Sequence, residues 1–379
     1  MEAIWEKLSR PLPASGSDAE SIITPETRQR LVDALDKYDF EYVAEGRANV
    51  VFGIRDPPED DGGPTVPRGQ FEATLLRVPK ATPGVTPCDY TTLQRFHEDL
   101  VERRVGRENL VPQVLVAISP GLAERLNAAR ANANGGRGRG RRKDGSGGDG
   151  HDGHGDGNDS RSVIRPGAAM LIQDMGPAPG YRTFEFKPKW LTQSPLAPPG
   201  ATRCRTCARE TFRNRQMLKK GAAVEVSAPM CPLGLVHDDP AVVAATVERL
   251  APADWSRRDR ERLAAALRAP GNNVLDRLRD LQVEGDPPPG RALFDSPGDP
   301  GFGLAMTLRD CSCFVRLPVN EDDDAPVVIK LADVDKKNWQ EKQTYWQESH
   351  RRLVEQGFYE GKEDPPMETH CVLGSNGHT

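Results

Sequence analysis

Residues 135–160 carry 11 glycines in 26 positions and not one apolar side chain. Fixing a backbone costs about 1–2 kcal/mol per residue, and a stretch with nothing to bury cannot offset that. The segment is expected to be a disordered Gly/Arg/Asp-rich insertion, so the fold must be assembled from what lies either side. It opens basic (Arg137, Arg139, Arg141, Arg142, Lys143) and turns acidic from Asp144 to Asp159. Such self-compensating charge fits a solvated loop. Its Arg-Gly pairs also look like RNA-binding arginine–glycine segments.

The two flanks read differently. Before the insertion, Phe40–Arg55 and Phe71–Val78 read as strands around a Pro/Gly/acidic loop at Asp56–Gly69. Cys88–Val105 has helical spacing at Leu93, Phe96, Leu100 and Val101. Asn109–Ser119 reads as a third strand and Ala168–Gln173 as a short buried one. Beyond Gln173 come a strand at Tyr181–Phe186 and helices at Arg205–Lys219, Pro240–Leu250, Ser256–Arg268 and Asn273–Gln282. Strands at Cys313–Leu317 and Val327–Leu331 and a long helix at Trp339–Gln356 follow. Strands, a helix, then more strands is the order of the small lobe of a kinase-like fold. The predicted class is α+β with two lobes, a smaller β-rich N-lobe over 1–173 and a larger α/β C-lobe over 174–379.

Composition narrows the function classes. Fifty-one basic and 56 acidic residues leave a net charge of −5, which argues against a general nucleic-acid binder but not against a local basic pocket. No run of about 18 apolar residues exists, so no membrane span is expected. The first residues, Met1-Glu-Ala-Ile-Trp-Glu-Lys, lack an apolar signal core. Seven cysteines, an odd count, fit a reduced compartment, and the chain is expected in the nucleus or cytoplasm, as a monomer.

Chemistry concentrates in short motifs. In Glu185-Phe186-Lys187-Pro188-Lys189-Trp190, proline holds the backbone extended, so Lys187 and Lys189 project on one side. That is a clamp for phosphate, or an edge strand with solvated lysines. Gly46 and Asn49 lie in a turn where backbone N–H groups can approach phosphate, or in an ordinary hairpin. Arg205, Arg209 and Arg213 recur every four residues on one helix face, and like charges at that spacing repel unless an anion neutralises them. The same segment contains Cys204-x2-Cys207, which Cys231 and His237 would complete as a zinc site. Asn273 fits an N-cap. Asp174 fits a turn cap. Asp310 fits a hairpin turn. Asp333 and Asp335 follow a buried strand, a good position for Mg²⁺ ligands.

Five motifs occur in a fixed order: Glu45-Gly46-Arg47-Ala48-Asn49-Val50-Val51-Phe52, Leu76-Arg77-Val78-Pro79-Lys80, the Lys-Pro-Lys hexapeptide, Arg309-Asp310-Cys311-Ser312, and Ile329-Lys330-Leu331-Ala332-Asp333-Val334-Asp335. Together they resemble the inositol-pentakisphosphate 2-kinase family, its fungal members most, from about Tyr42 to Glu355. The resemblance implies ATP-dependent phosphorylation of the 2-hydroxyl of inositol pentakisphosphate to give the hexakisphosphate. It implies ATP contacts from Gly46, Arg47, Asn49, Arg77, Gln173 and Asp174. Asp310 would be the base, Lys187 would sit near the transferring phosphoryl, and Asp333 with Asp335 would hold Mg²⁺. Lys189, Arg205, Arg209, Arg213, Asn272, Asn273, Lys337, Lys342 and Tyr345 would contact the inositol phosphate. The pattern departs at Ala332, at the Lys336-Lys337 pair, and at Glu341, where a basic residue is expected one place before Lys342.

Charge supports a polyphosphate ligand. Five phosphate monoesters bring about −7.5 to −10, and Lys187, Lys189, Arg205, Arg209, Arg213, Lys337 and Lys342 offer seven cations in an acidic chain. Two other classes stay open: a catalytically silent binder of inositol phosphate or RNA, and a zinc-dependent interaction module around Cys204 and Cys207.

Overall fold

A computed structural model describes residues 1–12, 23–46, 48–58, 67–81, 89–135, 162–221, 228, 230–269, 274–287, 299–319, 325–337 and 339–374. The expected insertion therefore lies almost wholly outside the described residues, as do Arg47, Asn272 and Asn273. The class is α+β, and the chain divides into two compact units: Met1–Arg95 with Val111–Asp174, and Phe96–Leu110 with Met175–Thr379.

The first unit is built on five strands, β1 (Asp39–Glu45), β2 (Asn49–Arg55), β3 (Thr74–Pro79), β4 (Gln113–Ile118) and β5 (Gly167–Gln173). They are antiparallel in the order β1-β2-β3-β5-β4. Strand periodicity decides which side chains are buried. Val50 and Phe52 of β2 and Leu76 and Val78 of β3 point into a core closed by helices α1 (Glu2–Leu8) and α2 (Pro25–Leu35). Arg77 falls between Leu76 and Val78, so it faces away from that core and pairs across the sheet with Val51. The run over Phe40–Arg55 is a hairpin that turns at Gly46, within the turn read at Gly46 and Asn49; the Gly46 N–H donates to the Asn49 carbonyl at 2.9 Å.

The helix expected over Cys88–Val105 is three pieces: α3 (Tyr90–Phe96), a π-helical turn (His97–Val101) and α4 (Glu102–Val105), ending at Gly106 with φ 94°. The third strand starts late, at Gln113, because Pro112 has no N–H for the ladder. Helix α5 (Pro120–Gly135) was not expected; its small residues give little periodicity, yet Leu122, Ala123 and Leu126 are buried.

The second unit centres on a three-stranded antiparallel sheet, β6 (Tyr181–Phe186), β7 (Ser312–Pro318) and β8 (Val328–Ala332), with β7 in the middle. Around it lie α6 (Arg205–Lys219), α7 (Pro240–Leu250), α8 (Arg257–Ala266), α9 (Val274–Glu284), α10 (Pro300–Leu308) and α11 (Trp339–Glu355). Helix α10 also went unread, although Asp299 caps it and Pro300 opens it. Its Leu304 and Leu308 join Leu275, Leu278 and Leu281 of α9 and Cys313, Val315 and Leu317 of β7 in one core. The register matters most: Phe186 pairs with Cys313 and Ser312 with Ala332. The residue after β6, those before β7 and those after β8 therefore emerge at the same end of the sheet.

Candidate active site

That end of the sheet carries Lys187, Asp310 and Asp333. Lys187 Nζ donates to the Asp310 carbonyl at 3.1 Å and lies 3.8 Å from Asp310 Oδ1 and 3.5 Å from Asp333 Oδ2. Lys189 Nζ reaches Asp310 Oδ1 at 3.4 Å, and Lys337 Nζ reaches Asp310 Oδ2 at 3.0 Å. One carboxylate thus meets three ammonium groups. Asp310 is half-buried, where such pairs are worth more than on an open surface. Burial works against the charge on Lys337, but Asp333, Asp310 and Asp335 outweigh it and hold the ammonium above its ordinary range.

The backbone is strained at this end. Lys189 has φ 56° and Asp333 φ 54°, two of the three non-glycine residues with positive φ among those described. Each costs about 1–2 kcal/mol and persists only where the surroundings enforce it. For Lys189 the enforcer is Gln282, a fully buried side chain on α9. Its Nε2 donates to the Lys189 carbonyl at 2.9 Å, and its Oε1 accepts the Leu191 N–H at 2.9 Å. Nε2 also reaches the Leu308 carbonyl at 3.4 Å, two residues before Asp310. One amide therefore ties the lysine turn to the approach of the aspartate. On the far side, Thr307 Oγ1 donates to the Asp335 carbonyl at 3.1 Å. Cys311, between Asp310 and Ser312, is an inert core thiol that burial pushes up to about 12.

Trp190 extends the bracket. Its ring lies under the guanidinium of Arg309 at 3.8 Å and that of Arg205 at 4.9 Å. Burial lowers both arginines from their usual range, and Asp286 partly restores Arg309. Trp190 and Arg309 stand in the sequence motifs without a role of their own, and Gln282 is read there only as a helix limit. The available signal was a glutamine on the apolar stripe formed by Leu275, Leu278 and Leu281 of α9.

The basic helix face resolves into three environments. Arg205 is buried, with Nη1 3.2 Å from His350 Nδ1. Arg209 Nη2 donates to the Tyr345 hydroxyl at 3.4 Å, which brings together two residues expected to share a ligand. Arg213 donates to both Glu210 oxygens at 3.0 Å, so a neighbouring carboxylate supplies its counter-charge. His350 is held down to about 4 by burial and by Arg205. Lys342 lies on α11, half-buried, three residues before Tyr345.

In the first unit, Gly46, Asn49 and Arg77 cluster at the β1–β2 turn. With the Asn49 amide oriented by its network, its oxygen accepts from Arg77 Nη2 at 2.7 Å and its nitrogen donates to the Tyr90 hydroxyl at 2.6 Å. The Arg77 guanidinium also lies 5.7 Å from the Tyr90 ring centroid. Gln173 pairs with Thr74, three register positions or about 10 Å along the strand from the Arg77–Met170 pair. The Asp174 N–H donates to the Ala73 carbonyl at 2.8 Å.

Cys204, Cys207 and Cys231 meet as the zinc reading requires, but His237 does not join them. Its Nδ1 accepts the Asp239 N–H at 3.0 Å, at the start of α7. The fourth sulfur is that of Cys371.

The family model described as inositol-pentakisphosphate 2-kinase matches residues 42–288 and 300–352. The chain belongs to this family. A curated inositol-pentakisphosphate 2-kinase of Yarrowia lipolytica (strain CLIB 122 / E 150) is 32% identical over 193 residues, covering 50% of this chain and 56% of that relative. At the sheet end, Lys187, Lys189, Asp310, Asp333 and Lys337 all lie inside the matched span; Cys371, in the thiol cluster, lies outside it.

Proposed function

We propose that the chain transfers the γ-phosphoryl group of ATP to the 2-hydroxyl of inositol 1,3,4,5,6-pentakisphosphate, giving the hexakisphosphate. The observation that carries this reading is the Asp310 carboxylate held among Lys187, Lys189 and Lys337 at one sheet end. Asp310 accepts the hydroxyl proton as that oxygen attacks the γ-phosphorus, and the bond to the β–γ bridging oxygen breaks to release ADP. The lysines hold Asp310 in place before substrate arrives and can turn to phosphate when it does. Lys187 faces the transferring group, and Lys189 and Lys337 face the inositol phosphates with Arg209, Tyr345, Arg205, Arg213 and Lys342. Gly46, Arg47, Asn49, Arg77, Gln173 and Asp174 hold ATP, and Asn272 and Asn273 touch substrate.

Asp333 and Asp335 offer the hard oxygen donors that Mg²⁺ takes, and few protein ligands suit an ion that keeps its waters and binds ATP phosphates. When bound, the ion neutralises charge on the transferring phosphates. The chain's own share of catalysis is positioning and charge. We place the enzyme in the nucleus or cytoplasm, acting as a monomer. No described helix is long and apolar enough to cross a membrane.

Labelled ATP and Mg²⁺, offered with inositol pentakisphosphate beside less phosphorylated inositols, test the reading. Hexakisphosphate should form from the pentakisphosphate alone and disappear in Lys187→Ala and Asp310→Ala. Tight pentakisphosphate binding without transfer would make the chain a silent binder instead.

A further inference from the structure

Arg309, the C-cap residue of α10, directly precedes Asp310. Arginines are seldom fully buried, yet only 3% of this one is exposed. A buried guanidinium is costly unless hydrogen bonds and an opposite charge meet it. Arg309 Nη2 donates to the Asp286 carboxylate at 2.5 Å and to the Gln282 carbonyl at 2.9 Å. The Gln282 carbonyl is among the last four of α9, which lack a partner within their own helix. A cation there also answers the negative end of the helix dipole. Arg309 is thus anchored to the end of α9 by charge and by geometry.

The anchored group reaches both halves of the charged cluster. On one side it holds the main chain of Gln282, whose side chain holds the Lys189 carbonyl and the Leu191 N–H. Between those two residues stands Trp190, and the Arg309 guanidinium lies over its ring, 3.8 Å from the centroid. The turn is fixed on its backbone by Gln282 and on its side chain by Arg309. On the other side, Arg309 is joined to Asp310 by the peptide bond, and the Asp310 N–H donates to the Thr307 carbonyl at 3.0 Å. Lys189 Nζ and Asp310 Oδ1 are 3.4 Å apart, and Lys189 keeps φ 56°, which needs support from its surroundings.

We propose that Arg309 is a positioning residue: anchored on Asp286 and the end of α9, it acts through Trp190 and Gln282 to set the Lys189 ammonium against the Asp310 carboxylate. The inference rests on the reading of Asp310 as base and Lys189 as a phosphate contact. The position needs arginine in particular. One planar group must hydrogen-bond along its edge and stack on its face, and a lysine ammonium can do only the first. Arg309→Lys is therefore a severe change here, although it keeps the charge beside Asp286.

Two readouts test the role, one of them free of phosphoryl transfer. The full chain, without nucleotide or inositol phosphate, is treated with limiting acetic anhydride, and the labelling of each lysine is read by mass spectrometry. Lys189, with 16% of its side chain exposed, should label slowly in the wild type. Arg309→Lys and Arg309→Met should label it several-fold faster, with the exposed Lys362 unchanged. In both variants kcat should fall about tenfold or more with the KM for ATP unmoved. Should Arg309→Met fail to fold because Asp286 loses its partner, Arg309→Met with Asp286→Leu removes both charges and should still label Lys189 fast. Unchanged Lys189 labelling in the folded variants overturns the proposal whatever their activity. A near-normal kcat in Arg309→Lys also overturns it, as does faster labelling spread evenly over all buried lysines, which would make Arg309 a stability residue. Fast Lys189 labelling in variants of a wild type that transfers no phosphoryl group would support the placement and overturn the kinase reading instead.

Discussion

Two clusters in the second unit are built alike and do opposite things. At the sheet end, Asp310 sits among three lysines, half-exposed, every charge matched by a neighbour of the other sign. At the start of α6, four thiols are fully buried with no opposite charge among them. The first arrangement is stable as it stands and can trade its partners for those of a ligand. The second brings together four thiols, which pack as small apolar groups while neutral and ionise only for a soft cation. Hard, wet and exchangeable groups suit turnover; soft, dry and closed ones suit permanence.

Substitution should separate them. Asp310→Ala should lower turnover by roughly 10²–10⁴-fold while ATP binding and the melting midpoint change little. A near-normal rate would remove Asp310 from its role, and a collapse of the fold would make the charged cluster structural. Gln282→Leu comes next. It keeps the volume but strands the Lys189 carbonyl and the Leu191 N–H, at a stability cost of about 1–3 kcal/mol. Its sharper signature is a fall in kcat of about tenfold or more with the KM for ATP unmoved. Equal losses in every parameter would reduce Gln282 to a packing residue.

The smallest effect lies between the clusters, at His350. Folded, it stays neutral down to about 4; unfolded, it protonates at its ordinary 6.5. Between those values the unfolded chain binds more protons, so stability falls as pH drops from 6.5 toward 4 and is fully present above 6.5. The ring is partly exposed, so screening limits the loss to the order of 1 kcal/mol. Denaturant midpoints measured across that window should slope less in His350→Gln. Identical slopes would show that Arg205 and burial do not set this titration.

Much of the fold was legible. Alternation marked the strands, and from residue 205 onward every described α-helix except α10 fell close to its expected limits. Asp310, Lys187 and Asp333 were reached by motif, since nothing local says that three strand ends share one edge; the β6–β7–β8 register does. Gln282 was hidden by its own helix, where a single polar residue in an apolar stripe looks like noise until its partners are known. Cys371 was hidden by distance. A metal-ligand pattern is readable when its spacing is short, and His237 was read as a fourth ligand where the structure places Cys371.

Trp190 has an optical consequence. Its indole lies close to the guanidinium groups of both Arg309 (3.8 Å) and Arg205 (4.9 Å), directly after Lys189. Emission from an indole responds to charges this near. Arrival of a highly anionic ligand at the lysine turn should therefore register as a change in Trp190 fluorescence, without any label. Titrating inositol hexakisphosphate into the wild type and into Trp190→Phe would isolate that signal. An unchanged spectrum under saturating ligand would mean that the stacked pair stays rigid while the lysines beside it do the binding.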